Sequence, residues 1–145
     1  MGRSRERVLQ SLDIVECVVY TTHVTTFGQY VRTRREERDR ELKTLGQPGL
    51  SLRRLAAQSQ LEPSYLSKIE RGLQPPPSEA RIVALAAVLG DDPDVLLALA
   101  GKVSTDLQTA ILRRPALFAE LIRELKNQPD HAVLRIVREV RDGTW

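Results

Sequence analysis

The chain has 145 residues, of which 41% are apolar but only 4% aromatic. Leu, Ala, Val and Ile beside abundant Arg and Glu favour an all-helical protein of one domain, or of a small domain with an appendage, long enough to bury a core without staples. The formal net charge of +3, from 22 basic and 19 acidic residues, permits an acidic partner such as nucleic acid without demanding one. The lone cysteine, Cys17, excludes an intrachain disulfide framework and fits a reducing cytoplasm, and no apolar run approaches the roughly 18 residues of a membrane span.

Residues 1–25 read as an N-terminal arm, strand-prone or disordered. Arg3, Arg5 and Arg7 are not followed by a signal-peptide core, because Asp13 and Glu16 break the short apolar stretch. Ile14 to Thr26, IVECVVYTTHVTT, is rich in β-branched residues, and one isolated strand must pair with something or stay loose. Val24 is also a candidate alternative start, from which the native chain would begin as Met-Thr-Thr-Phe; sequencing the native N-terminus decides it.

Periodicity then predicts helices in succession. Phe27 to about Leu42 carries Phe27, Tyr30, Val31 and Arg34 at spacings of three and four. LGQPG, Leu45 to Gly49, stops it. Ser51 caps a second helix through Gln58, Gln60 to Glu62 make a turn, and Pro63 opens a third helix that runs to Arg71 and ends at Gly72. Pro75, Pro76 and Pro77 form a stiff connector. Ser78 caps a fourth helix with Ile82, Val83, Leu85, Ala86 and Leu89 inward and Gly90 as its stop. Asp92 and Pro93 open a fifth, Asp94 to Ala100, closed by Gly101. Three further helices follow. Thr105 caps one with Leu107, Ile111 and Leu112, Pro115 starts one with Leu117, Phe118, Leu121, Ile122 and Leu125, and Pro129–Asp130 starts one with Val133, Leu134, Val137 and Val140. The last two are expected to form an antiparallel hairpin.

On a wheel of about 100° per residue, Leu66, Ile69 and Leu73 of the third helix fall on one side. Ser64, Ser67, Lys68 and Arg71 fall opposite, with Tyr65 on the flank. A polar face with one Lys and one Arg is ordinarily just solvated. The short, sharp spacing of two helices is what points to a helix placed in the DNA major groove. Small serines allow close approach to base edges, Lys68 reaches guanine acceptors or phosphate, and Tyr65 suits a phosphate or a thymine methyl. Arg71 suits the backbone, and Ser51 offers its hydroxyl and the following N–H groups to a phosphate.

FGQYVRTRREER, LSLRRLAAQSQLEPSYLSKIERG and PPPSEARIVALAAVLGDDPDVLLALAG together resemble the lambda-repressor-like, Xre-type helix-turn-helix family over residues 27–101. The resemblance implies a five-helix DNA-binding domain, assigned to residues 26–101, that binds operator DNA as a two-fold dimer with the third helix in the major groove. It implies that Ser64, Tyr65 and Lys68 face bases and that Ser51, Ser67 and Arg71 contact the backbone. Two departures stand out. DRELKTLGQPG lengthens the first helix or inserts a loop before LSL, with Arg40 and Lys43 either solvated or on phosphate. Gln60 occupies a turn position where the family often has glycine, at a conformational cost of about 1 kcal/mol.

No catalytic or metal motif accompanies these elements. His23 and His131 are far apart and without a motif, Cys17 reads as a small hydrophobe, and acidic residues lie mostly beside basic ones. No enzyme activity and no cofactor are expected. Residues 102–145 form a C-terminal helical extension with three readings: completing the core of the DNA-binding domain, forming an isologous dimer interface, or receiving a protein antagonist or toxin. The whole is read as a cytoplasmic transcriptional regulator, with a repressor acting on an inverted repeat as the leading form. A protein-interaction module of antitoxin or scaffold type, with DNA binding secondary, is the alternative.

Overall fold

A computed structural model describes residues 25–145, and every regular element among them is an α-helix. The helices fall into two compact units, the first ending at Ser104 and the second covering Thr105–Trp145. Residues 14–24 of the strand-prone segment, with Cys17, His23 and the start considered at Val24, lie outside the described residues, whereas its last residue, Thr26, serves as a helix cap.

Helix α1 covers Phe27–Thr44. Thr26 opens it through a reciprocal cap: Gln29 N–H donates to Thr26 Oγ1 at 3.3 Å, and Thr26 N–H donates to Gln29 Oε1 at 3.2 Å. The helix runs past Leu42 to Thr44, so the extra residues of DRELKTLGQPG are partly helical. Arg32–Glu36, Arg38–Glu41 and Lys43–Asp39 pairs line its outer surface at the i,i+3 and i,i+4 spacings that support a helix. The loop that follows is held down. Asp39 accepts from Lys43 Nζ at 2.7 Å and from the Leu50 backbone, and it lies so close over Gly49 that an added Cβ there would meet its Oδ1 at 2.1 Å.

Four shorter helices complete the first unit: α2, Leu52–Gln58; α3, Pro63–Glu70; α4, Glu79–Leu89; and α5, Pro93–Leu99. Ser51 Oγ caps α2 by accepting Arg54 N–H at 3.2 Å, and Asp92 caps α5 through Asp94 N–H at 2.8 Å. Ser78 stands at the N-cap of α4 with extended backbone, but its side chain makes no cap bond. The core joins Phe27 and Val31 of α1 to Leu55 and Ala56 of α2 and to Leu66 and Ile69 of α3. Ile82, Leu85, Ala86 and Leu89 of α4 and Leu96 and Leu97 of α5 complete it, together with Leu50 from the loop.

Two apolar assignments need correction. Val83 is 42% exposed, because the inward face of α4 is set by the Ile82–Leu85–Ala86–Leu89 spacing and Val83 lies one step round the helix. Leu73 is 64% exposed, because α3 ends at Glu70 and the chain turns away through Gly72 at φ +73° before Leu73 can continue the stripe.

Three contacts fix α1 against its neighbours. At Gly28 its backbone approaches α3 so closely that a Cβ would lie 2.1 Å from the Ile69 carbonyl oxygen. Seven residues on, Arg35 donates from Nε and Nη2 to the two carboxylate oxygens of Glu70 at 2.7 and 2.9 Å, with side-chain exposures of 14% and 4%. Arg34 Nε and Nη2 grip Asp91, whose side chain is fully buried, and Arg34 Nη1 pairs with Glu37. Breaking one partner of a buried pair costs about 3–5 kcal/mol, whereas exposed pairs are worth about 0–1 kcal/mol. The Arg35–Glu70 and Arg34–Asp91 pairs therefore outweigh the surface pairs of α1. Burial opposes the charge on Arg34, yet its bonds to Asp91 and Glu37 hold its pKa above the ordinary guanidinium value. Burial, with the negative charge of Asp91, pushes the Tyr30 hydroxyl up to about 12.

The second unit holds α6, Thr105–Arg113; α7, Pro115–Leu125; and α8, Asp130–Asp142. Each of the three expected helices is present. Within this unit α6 and α7 are in contact. Leu134 is its buried apolar side chain, whereas Leu107, Leu117, Ile122, Val137 and Val140 are all more than two-fifths exposed. The amphipathic pattern is thus realised as helices whose apolar stripes remain largely open.

Gly28→Ala is expected to push α1 from α3 and lower stability by about 1–3 kcal/mol in urea unfolding, and an unchanged midpoint would contradict the close crossing. A raised tyrosine pKa stabilises the fold fully below the unfolded value and is lost as pH rises through the folded one. Stability should therefore fall between about pH 10 and pH 12, and Tyr30→Phe should remove both that component and a late-titrating tyrosinate absorbance.

Candidate nucleic-acid interface

The turn from α2 to α3 has a defined hydrogen-bond pattern. Gln60 N–H donates to Ala57 O at 3.2 Å and Leu61 N–H to Ala56 O at 2.8 Å, the two bonds of a Schellman motif. Gln60 occupies the left-handed position at φ 56°, the conformation read from the sequence as glycine-favouring. Leu61 packs against the core, and Pro63 starts α3 in its first helical position. Two short helices are thus joined by a short turn whose backbone N–H groups bond back to the first helix.

From this turn α3 presents two unlike sides. Leu66 and Ile69 are buried at 0% and 1% exposure. Ser64 and Lys68 are exposed, one helical turn apart on the same face. Ser67 is half-buried beside them. Tyr65 is half-buried too, with its ring packed against the core, which leaves a flank position for its hydroxyl. Arg71 is the C-cap residue, exposed, with its Nε donating to Ser67 O at 3.3 Å. Ser51 is exposed at the N-cap of α2; its oxygen accepts Arg54 N–H, and its own proton stays available to donate.

Sequence reasoning passed over several groups near these positions. Arg53 and Arg54 lie two and three residues after the Ser51 cap and are exposed, and Arg54 Nη1 donates to Gly49 O at 3.1 Å. The pair of arginines after a capping serine was the available signal. Glu62, exposed at the N-cap of α3, makes no cap bond. A carboxylate there can accept from a cytosine amino group and repels phosphate. Of the insert cations, Lys43 is paired with Asp39, while Arg40 is exposed.

Among the described residues no group of His, Cys, Asp or Glu is placed to hold a metal ion, and no helix is long and apolar enough to cross a membrane. His131 is exposed on α8.

A family model described as a helix-turn-helix domain matches residues 26–99, from the capping threonine of α1 to the last residue of α5. Among solved structures, a SinR protein/SinI protein complex is similar at 24% sequence identity, covering 82% of this chain and 100% of that chain with a TM-score of 0.41. No curated protein matches. With this match spanning the five helices of the first unit, the chain belongs to the helix-turn-helix domain family.

Proposed function

We propose that this protein is a sequence-specific transcriptional regulator, a cytoplasmic repressor that binds an inverted-repeat operator as a homodimer with α3 in the major groove. The observation that carries the reading is the division of α3 into a fully buried side, Leu66 and Ile69, and an open side holding Ser64 and Lys68. Helices of this kind enter the groove with their first turns. Ser64 and Lys68 then read base edges, with Lys68 suited to guanine O6 and N7 and Ser64 small enough to leave the helix close to the bases. Tyr65, held on the flank, takes a base or the adjoining backbone. Ser51, Ser67 and Arg71 contact phosphates and sugars, which sets register without carrying sequence.

Two arms per dimer require an interface. The stripes of α6, α7 and α8 supply apolar surface that is open within the single chain, and an isologous pairing of these helices suits an inverted repeat. The same open stripes favour a second reading, in which the C-terminal unit receives an antagonist or toxin and DNA binding is secondary. The two readings separate by experiment, because a dimer forms in the purified protein alone.

Lys68→Ala and Ser64→Ala are each expected to weaken binding to a duplex selected from random oligonucleotides by about 1–3 kcal/mol and to relax base preference. Unchanged affinity in both variants would show that α3 does not read the DNA. Ile122→Asp and Val137→Asp should turn a dimer into a monomer in sedimentation equilibrium while leaving weak half-site binding, and a wild-type monomer at all concentrations would favour the antagonist reading instead.

A further inference from the structure

Among the described residues, Gln60 is the non-glycine residue with a positive φ. It sits at the position of the α2–α3 turn where a Cβ is strained against the neighbouring carbonyl. Relief of that strain would move the segment from Ser59 to Glu62, and α3 begins at the next residue. Leu61 is half-buried against the core, so the turn cannot relax by swinging outward without uncovering it.

The side chain of Gln60 is held from elsewhere in the fold. Arg81 Nη1 donates to Gln60 Oε1 at 2.7 Å across 21 residues of sequence. Arg81 lies in the first turn of α4, half-buried, next to Ile82, which is fully buried. Among the described residues it forms no ion pair, so its guanidinium is directed to this amide. A bond from a charged donor is stronger and shorter than one between neutral groups. The anchor is α4, whose inward face is buried at four positions along its length.

We propose that Arg81 is a positioning residue for α3: by fixing the Gln60 side chain it holds a left-handed turn without glycine, and so sets the angle at which Ser64 and Lys68 are presented. Only that last step rests on the DNA-binding reading above.

The test is a double-mutant cycle on the full chain, with wild type, Arg81→Ala, Gln60→Gly and the double variant. Each is measured by thermal unfolding and by binding to one duplex selected with the wild-type protein. Arg81→Ala is expected to lower the melting temperature and to weaken duplex binding roughly fivefold, with the salt slope unchanged. In the Gln60→Gly background, where the turn needs no brace, the same substitution should change neither. Arg81→Lys, which keeps a charged donor, should retain most of the affinity. Equal losses in both backgrounds would overturn the proposal, as would a shallower salt slope in Arg81→Ala, which would make Arg81 a phosphate contact. In a wild-type protein that bound no duplex the DNA reading would fall, and the melting temperatures of the same four proteins would still decide the coupling: a loss confined to the Gln60 background supports it, and an equal loss in both refutes it.

Discussion

Where α1 crosses α3, the absence of a side chain at Gly28 lets one helix backbone rest on the Ile69 carbonyl, and the paired hydrogen bonds of Arg35 and Glu70 lock the crossing a short way along. That contact fixes the back of α3. A helix clamped from behind by backbone contact and a buried ion pair has little freedom to roll. Its outer face is then decided by geometry, and Ser64 and Lys68 are left open because Leu66 and Ile69 are taken up inside. The same economy of contact appears at Arg34 and Asp91, which tie α1 to the short connection between α4 and α5.

The strength of these ties differs from that of the charged groups on the surface. Exposed pairs on α1 sit in water, where solvent and salt screen them. Arg35–Glu70 and Arg34–Asp91 are partly or fully withdrawn from water, so losing one partner strands a charge in a place that cannot solvate it. Once the apolar core has brought the helices together, these two buried pairs hold α1 in place, while other Arg and Glu pairs lie exposed on its outer surface.

The two departures from the family pattern have local structural answers. The lengthened stretch after the first helix is absorbed as further turns of α1 followed by a loop that Asp39 pins at Gly49 and Leu50, so that Ser51 still arrives at its cap. Glutamine at the turn is accommodated by the Schellman hydrogen bonds and by Arg81. The second unit contrasts with the first. Its helices are as amphipathic as the sequence pattern promised, yet their apolar stripes are largely open, which is the physical basis for reading them as an association surface.

The amino-acid order alone revealed the all-helical class, the helix starts at Ser51 and Pro63, the stops at Gly72 and Gly90, and the opposed faces of α3. All of these follow from contacts within a turn or two of chain, where periodicity, capping groups and the φ preferences of proline and glycine act directly. The inward extent of the stripes was legible only in part: Val83 and Leu73 have the right residue type but lie one step round the helix or past its end. Arg35 with Glu70, Arg34 with Asp91, Arg81 with Gln60, and the close approach at Gly28 were not visible, because each joins residues far apart in sequence. Such pairings carry no local periodic signal, and they come into being only when packing of the apolar faces brings distant helices together.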